Sequence, residues 1–174
     1  MVEIIKQNFR KNKELFKSIQ KQLQKDLDEK IQIEHVGSTA IPNMYGKNII
    51  DILIGAEDNK EFNNIRDILE KHNFHSSEKS KSNIYQFFAS TTDETKSGDI
   101  HIHLVMKETQ KYKDFILLKD YLLNNKKKAK KYSDFKRNLI KDNITEREEY
   151  KKVKSEYVSR MIKEARNKNY KIDN

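Results

Sequence analysis

Apolar residues recur along this chain in two rhythms, one of period two and one of three to four. Leu15, Phe16, Ile19, Leu23 and Leu27 fall at steps of three or four and predict a helix over 8–29 with one apolar stripe. IQIEHV, 31–36, alternates and predicts a strand. GSTAIPNMYGK follows as a loop closed by Gly46. NIIDILIG, 48–55, is a β-branched run bounded by glycine and predicts a buried strand. A second helix is predicted over 59–72, with Phe62, Ile65, Leu69 and His72 on one side and Asp58 or Asn59 as its cap. NIYQFFAS, 83–90, and DIHIHLVM, 99–106, read as strands. The polar turn TTDETKSG between them suggests a hairpin. From Thr109 onward the spacing is helical: Phe115, Leu118 and Leu122, then Tyr132, Phe135 and Leu139, then Tyr150, Val153, Tyr157 and Met161.

Composition narrows this picture. Hydrophobic residues make up 35% and charged residues 36%, so the core must be built one face at a time. The length suits one domain over 1–174. The change near residue 108 divides it into an α/β core, 1–108, and a basic helical C-terminal subdomain, 109–174. A net charge of +9 favours anionic partners, although a lysine-rich solvated surface gives the same value. Lys126 to Lys141 holds eight Lys or Arg and one Asp, and a solvated face or a nucleic-acid track would both account for it. The absence of cysteine removes disulfides and thiol chemistry and fits a reducing cytoplasm. MVEIIKQNFRKNKELF lacks an apolar signal core, and no window approaches a membrane span. A soluble cytoplasmic chain without a membrane partner is therefore expected.

The chemistry concentrates where glycine and the only proline sit, in EHVGSTAIPNMYGK. Gly37 lets a backbone or a phosphate approach closely. Ser38 and Thr39 offer hydroxyls and amide N–H groups to an anion, and Lys47 adds positive charge. Asp51 is a carboxylate among Ile49, Ile50, Ile52, Leu53 and Ile54, and such a group needs a partner. It suits a hard cation such as Mg²⁺ bridging to phosphate. The plainer reading is a loop with ordinary turn chemistry and an aspartate bonded to backbone amides.

EHVGSTAIPNMYGKNIIDILIG resembles the GrpB family, a branch of the polymerase-β-like nucleotidyltransferases. The histidines of DIHIHL, the run FILLKDYLL, the stretch from Tyr132 to Lys136 and the stretch from Tyr150 to Lys154 extend the resemblance over nearly the whole chain. It implies an α/β (α+β) nucleotidyltransferase-like fold, a short mixed sheet backed by helices with a helical C-terminal part. It also implies a Gly-Ser phosphate loop and an acidic metal site. One departure is visible: the wider superfamily carries two carboxylates one residue apart, whereas this chain has Asp51, Ile52 and Leu53.

Alternation in DIHIHL places Asp99, His101 and His103 on one face of a strand. If that strand neighbours Asp51, the histidines can complete an acid/base or metal site, with Asp51 and Asp99 better suited to Mg²⁺ (Mn²⁺ or another divalent ion being possible). The same alternation describes the wet face of an edge strand. His35 either orients the loop or packs in the core, and Glu34 is a weaker supporting residue. His72 and His75 read as structural. The expected function is nucleotidyl transfer from an NTP to an unknown acceptor. The alternative is a module of the same fold that binds a nucleotide or phosphorylated small molecule without transfer.

Overall fold

The computed structural model describes residues 1–76, 82–90 and 99–168. Five strands form the main sheet: β2 (Ile33–Val36), β4 (Ile50–Ala56), β5 (His75–Ser76), β6 (Tyr85–Ala89) and β7 (Ile100–Met106), in the order β2-β4-β7-β6-β5. β4 and β7 run parallel and the other neighbours antiparallel. The sheet is therefore mixed, as the α/β expectation required. Two further strands, β1 (Ile5–Lys6) and β3 (Tyr45–Gly46), pair with each other. β6 and β7 are antiparallel neighbours, while the turn predicted at TTDETKSG lies outside the described residues. No sequence pattern announced β1, β3 or β5, because two-residue strands are too short to show a period.

The period of two sorts the sheet into unlike faces. Ile33, Ile50, Ile52, Ile54, Ile102, Leu104 and Phe88 point to one side, against Phe16, Ile19 and Leu23 of α1 (Phe9–Leu23) and Phe62, Ile65 and Leu69 of α2 (Asn59–Lys71). Asp58 caps α2, its carboxylate accepting from the Glu61 amide. α1 ends earlier than its apolar rhythm predicts. Tight turns bond Lys25 N to Gln22 O and Asp26 N to Leu23 O, and Leu27 stays buried as an anchor beyond the helix. Leu15 departs from the predicted stripe and is exposed.

The opposite face carries Val36, Leu53 and Val105 beneath Tyr112, Phe115 and Ile116 of α3 (Gln110–Asn124). α4 (Lys126–Lys141) and α5 (Arg147–Asn167) then pack Leu122, Tyr132 and Met161 around Ile41 and Met44 of the loop before β3. Stitching continues from the N-terminus. Gln7 bonds the Met44 carbonyl through its amide N–H and the Gly46 carbonyl through its side chain. On the other side Ser133 Oγ of α4 accepts from Tyr45 N at 2.8 Å. The 37–47 loop is thus fixed from both directions. No helix among the described residues is long and apolar enough to cross a membrane.

Candidate functional site

β4 and β7 bring the candidate residues together by register. Asp51 lies beside His101, and Leu53 beside His103, across the parallel ladder. β7 is an interior strand between β4 and β6, so its polar residues are not the wet face of an edge. The Asp51 Oδ1 lies 3.6 Å from His101 Nδ1 and 3.9 Å from His103 Nε2. The carboxylate side chain keeps 27% of its surface exposed and the two imidazoles about 17 and 16%. It is a sheltered but open group, not a sealed one.

Around it the imidazoles are held by aromatic walls. His101 meets the Phe87 ring edge-on at 4.9 Å, and His103 packs on Phe115 at 4.7 Å. Tyr85 Oη stands 3.1 Å from His103 Nδ1, which leaves the other ring nitrogen facing Asp51. Burial works to raise the Asp51 carboxyl, but the two imidazoles outweigh it and hold it well below the usual carboxylate range. Asp51 is therefore an anion at neutral pH. Burial, reinforced by the Asp51 charge, pushes the Tyr85 phenol up to about 12, so it stays protonated.

The loop reaches the same place through its glycines. Gly37 has φ +72°, and a Cβ on it would stand 2.2 Å from Asp51 Oδ2. Only glycine allows the end of β2 to lie against that carboxylate. At Gly46 an added Cβ would stand 2.4 Å from Ser38 Oγ and 3.3 Å from Lys136 Nζ. Ser38, half-buried in a short 3₁₀ turn, thus lies at Gly46 near a lysine of α4, one residue along the chain from the Gly37–Asp51 contact.

Other predicted residues are placed differently. Thr39 is fully buried, and its hydroxyl donates to the Ile49 carbonyl at 3.2 Å. It also meets His35 Nε2 at 3.0 Å, so its hydroxyl is an internal tether and not a group offered to an anion. That single hydroxyl proton is already given to Ile49, so the His35 Nε2–H donates to Thr39. His35 sits one residue off the Asp51 face and stacks on Phe16 at 4.7 Å, which makes it both an orienting and a core residue. Burial lowers its pKa to about 4, so it is neutral. Glu34 belongs to the Asp51 face but is paired with Lys119 of α3 at 2.7 Å, tying helix to sheet away from the mouth. Asp99 lies exposed before β7; its carbonyl accepts from Ile50 N, and no contact among the described residues joins its carboxylate to Asp51. His72 is paired with Asp26 at 2.7 Å, a structural role.

Lys47 lies with its Nζ 5.6 Å over the Tyr150 ring and in the field of Asp51. Two further lysines, Lys136 and Lys154, had no assigned role in the sequence reading. Lys136 is buried against Tyr132, and Lys154 of α5 stands close enough to depress both other lysines. A signal was available: each lysine lies four residues after a tyrosine on the apolar stripe of its helix, where a charge is out of place.

The donor set tests whether a cation fits. Asp51 supplies one anionic oxygen centre, Leu53 replaces the second carboxylate, and no group of three His, Asp or Glu among the described residues is arranged to hold a metal alone. Such a set fits one hard cation that brings most of its ligands as phosphate oxygens and water, and does not fit a pair.

Comparison with known proteins follows the same lines. The pattern described as GrpB protein matches residues 2–164. The "Glutamate-rich protein GrpB" of Alkalihalophilus pseudofirmus is 31% identical over 163 residues, covering 91% of this chain and 89% of that protein. The crystal structure of the conserved protein GrpB from Enterococcus faecalis superposes with a TM-score of 0.80 at 22% identity, over 97% of this chain and 100% of that one. A looser likeness, TM-score 0.45 at 10% identity over 68% of this chain and 39% of the other, links it to the Cid1 poly(U) polymerase with MgGTP bound.

Proposed function

Because the chain belongs to the GrpB family, we propose that its Gly37–Ser38 mouth binds the magnesium salt of a nucleoside triphosphate and transfers the nucleotidyl group to an acceptor hydroxyl. The observation that carries this reading is the meeting of Gly37, Ser38 and Asp51 at one strand end, where neither Gly37 nor Gly46 has room for a Cβ. Ser38 and the loop amides face the phosphates, and Lys47 balances their charge. Asp51, kept ionised by its imidazole neighbours, is the residue that would hold a divalent cation bound to the triphosphate, and the cation would neutralise phosphate charge.

In the reaction the acceptor oxygen bonds to the α-phosphorus, the bond to the bridging oxygen breaks, and pyrophosphate leaves with that electron pair. On this reading the hydroxyl proton passes to His101 as general base, with His103, between Asp51 and the Tyr85 hydroxyl, completing the site beside it. Positioning and charge neutralisation supply most of the acceleration.

Labelled NTPs offered with small-molecule and RNA acceptors test this. Labelled product is expected from the native chain and none from Asp51→Ala; equal turnover in the two rejects the role of Asp51. Leu53 favours a second reading, a module of the same fold that holds a nucleotide or phosphorylated ligand without transfer. Calorimetric binding of MgNTP with no product from any acceptor selects it.

A further inference from the structure

Lys136 is 2% exposed, and its Nζ has no hydrogen-bond partner among the described residues. A buried lysine amine with its N–H donors unmet, charged or neutral, is costly and calls for a reason. Its Nζ lies 4.6 Å from the centroid of the Tyr132 ring, which attracts a charge but accepts no N–H bond in the ring plane. The Nζ is aimed at the Gly46–Ser38 contact, 3.3 Å from where a Gly46 Cβ would stand. Lys47 follows β3, Lys136 comes from α4 and Lys154 from α5, so three separate elements deliver cations to one mouth. Arg147 and Lys151 add to the repulsion felt at Lys47, Lys151 itself facing Glu148 at 3.9 Å, and Asp51 is the carboxylate that draws on both Lys47 and Lys136. The cations outnumber the anion, and a ligand with several negative charges would relieve both the repulsion and the orphaned donors.

We infer that Lys136, with Lys47 and Lys154, forms a subsite for the distal phosphates of a polyphosphate ligand, so that the mouth selects tri- and diphosphates over single phosphates. This rests on the nucleotide reading above and extends it from the loop to the helical part of the chain. Burial, then the charge of Lys154, lowers the Lys136 pKa to about 7 against the opposing pull of Asp51. Free Lys136 is therefore mostly neutral at pH 8, and a phosphate seated on it draws a proton onto the amine. The groups that set this balance are Lys154 from α5 and Asp51 from β4, with Ser38 Oγ on the loop side carrying no charge.

The test uses inorganic tripolyphosphate and orthophosphate as probes, with the full chain in a calorimeter at pH 8. Tripolyphosphate is expected to bind more tightly than orthophosphate. Lys136→Met is expected to weaken it ~10-fold or more, the loss of one charge-assisted contact. Runs in two buffers of unlike ionisation enthalpy are expected to show about one more proton taken up by the native chain than by Lys136→Met, a difference that cancels the probe's own protons. Lys136→Arg keeps a permanent charge and is expected to bind without that proton. Equal affinity for the two probes, unchanged affinity in Lys136→Met, or no difference in proton uptake overturns the inference. Tripolyphosphate binding of this kind without nucleotidyl transfer leaves the subsite standing and removes the transferase reading. Transfer with an unchanged KM in Lys136→Met does the reverse.

Discussion

The two faces of the five-stranded sheet have different contents although they share the same strands. Beneath α1 and α2 lie Ile50, Ile52, Ile54, Ile102 and Leu104, an apolar layer with His35 at its margin and the buried, uncharged Gln86 opposite Leu104. Under α3 the same strands present Leu53 and Val105 in their interior but Asp51, His101 and His103 toward the loop. One face is uniform and serves cohesion. The other changes character along its length, with Leu53 and Val105 packed under α3, Glu34 paired with Lys119 of α3, and Asp51 beside His101 and His103. The difference teaches that the site is positioned by the dry face: the register that aligns Ile52 with Ile102 also sets Asp51 beside His101.

Substitutions on each face can break this division. Ile52→Ala, at a fully buried position in the interior strand β4, is expected to cost about 4 kcal/mol in denaturant unfolding. A loss under about 1 kcal/mol would mean the layer is not close-packed. Acid separates the faces next. His35 has its pKa lowered in the folded state, so the unfolded chain takes the proton first. Stability present above pH 6.5 is then lost as pH falls toward 4, by up to about 3 kcal/mol. His35→Leu should flatten that window. Asp51, also depressed, holds its contribution until pH falls below the ordinary carboxylate value near 3.8, so the two titrations do not overlap. A slope between pH 6.5 and 4 that survives His35→Leu would place the acid-sensitive group elsewhere.

Gly37→Ala is expected to cost about 2 kcal/mol, from the left-handed backbone and the Asp51 contact, and to abolish tripolyphosphate binding. Retained binding would show that the close approach of loop and carboxylate is dispensable. Glu34→Gln, which breaks a part-exposed pair with Lys119, is expected to cost less than about 1 kcal/mol and to leave binding alone. A larger effect on binding would move Glu34 back into the site.

The legible part of this molecule was whatever repeats. Period two in IEHV and IHIHLVM and the β-branched run in IDILIGA marked three strands, and the alternation put His101 and His103 on one face. Spacing of three and four marked α1 through α5, and the loop's glycines pointed to Gly37 and Ser38. What repeats too briefly was lost, as with the two-residue strands that clamp the loop. Single residues at stripe positions were also passed over. Lys136 sits among Tyr132, Phe135 and Leu139 and was counted with the surface lysines around it.

By itself, then, the sequence determined which residues share a face and which are too costly to bury unpaired, because both follow from local geometry and side-chain chemistry. Tertiary structure decided the partners. That Asp51 faces the imidazoles of β7 and that Lys136 of α4 lies against Gly46 both depend on contacts distant in sequence. Strand order and helix packing settle such contacts, and no local pattern encodes them.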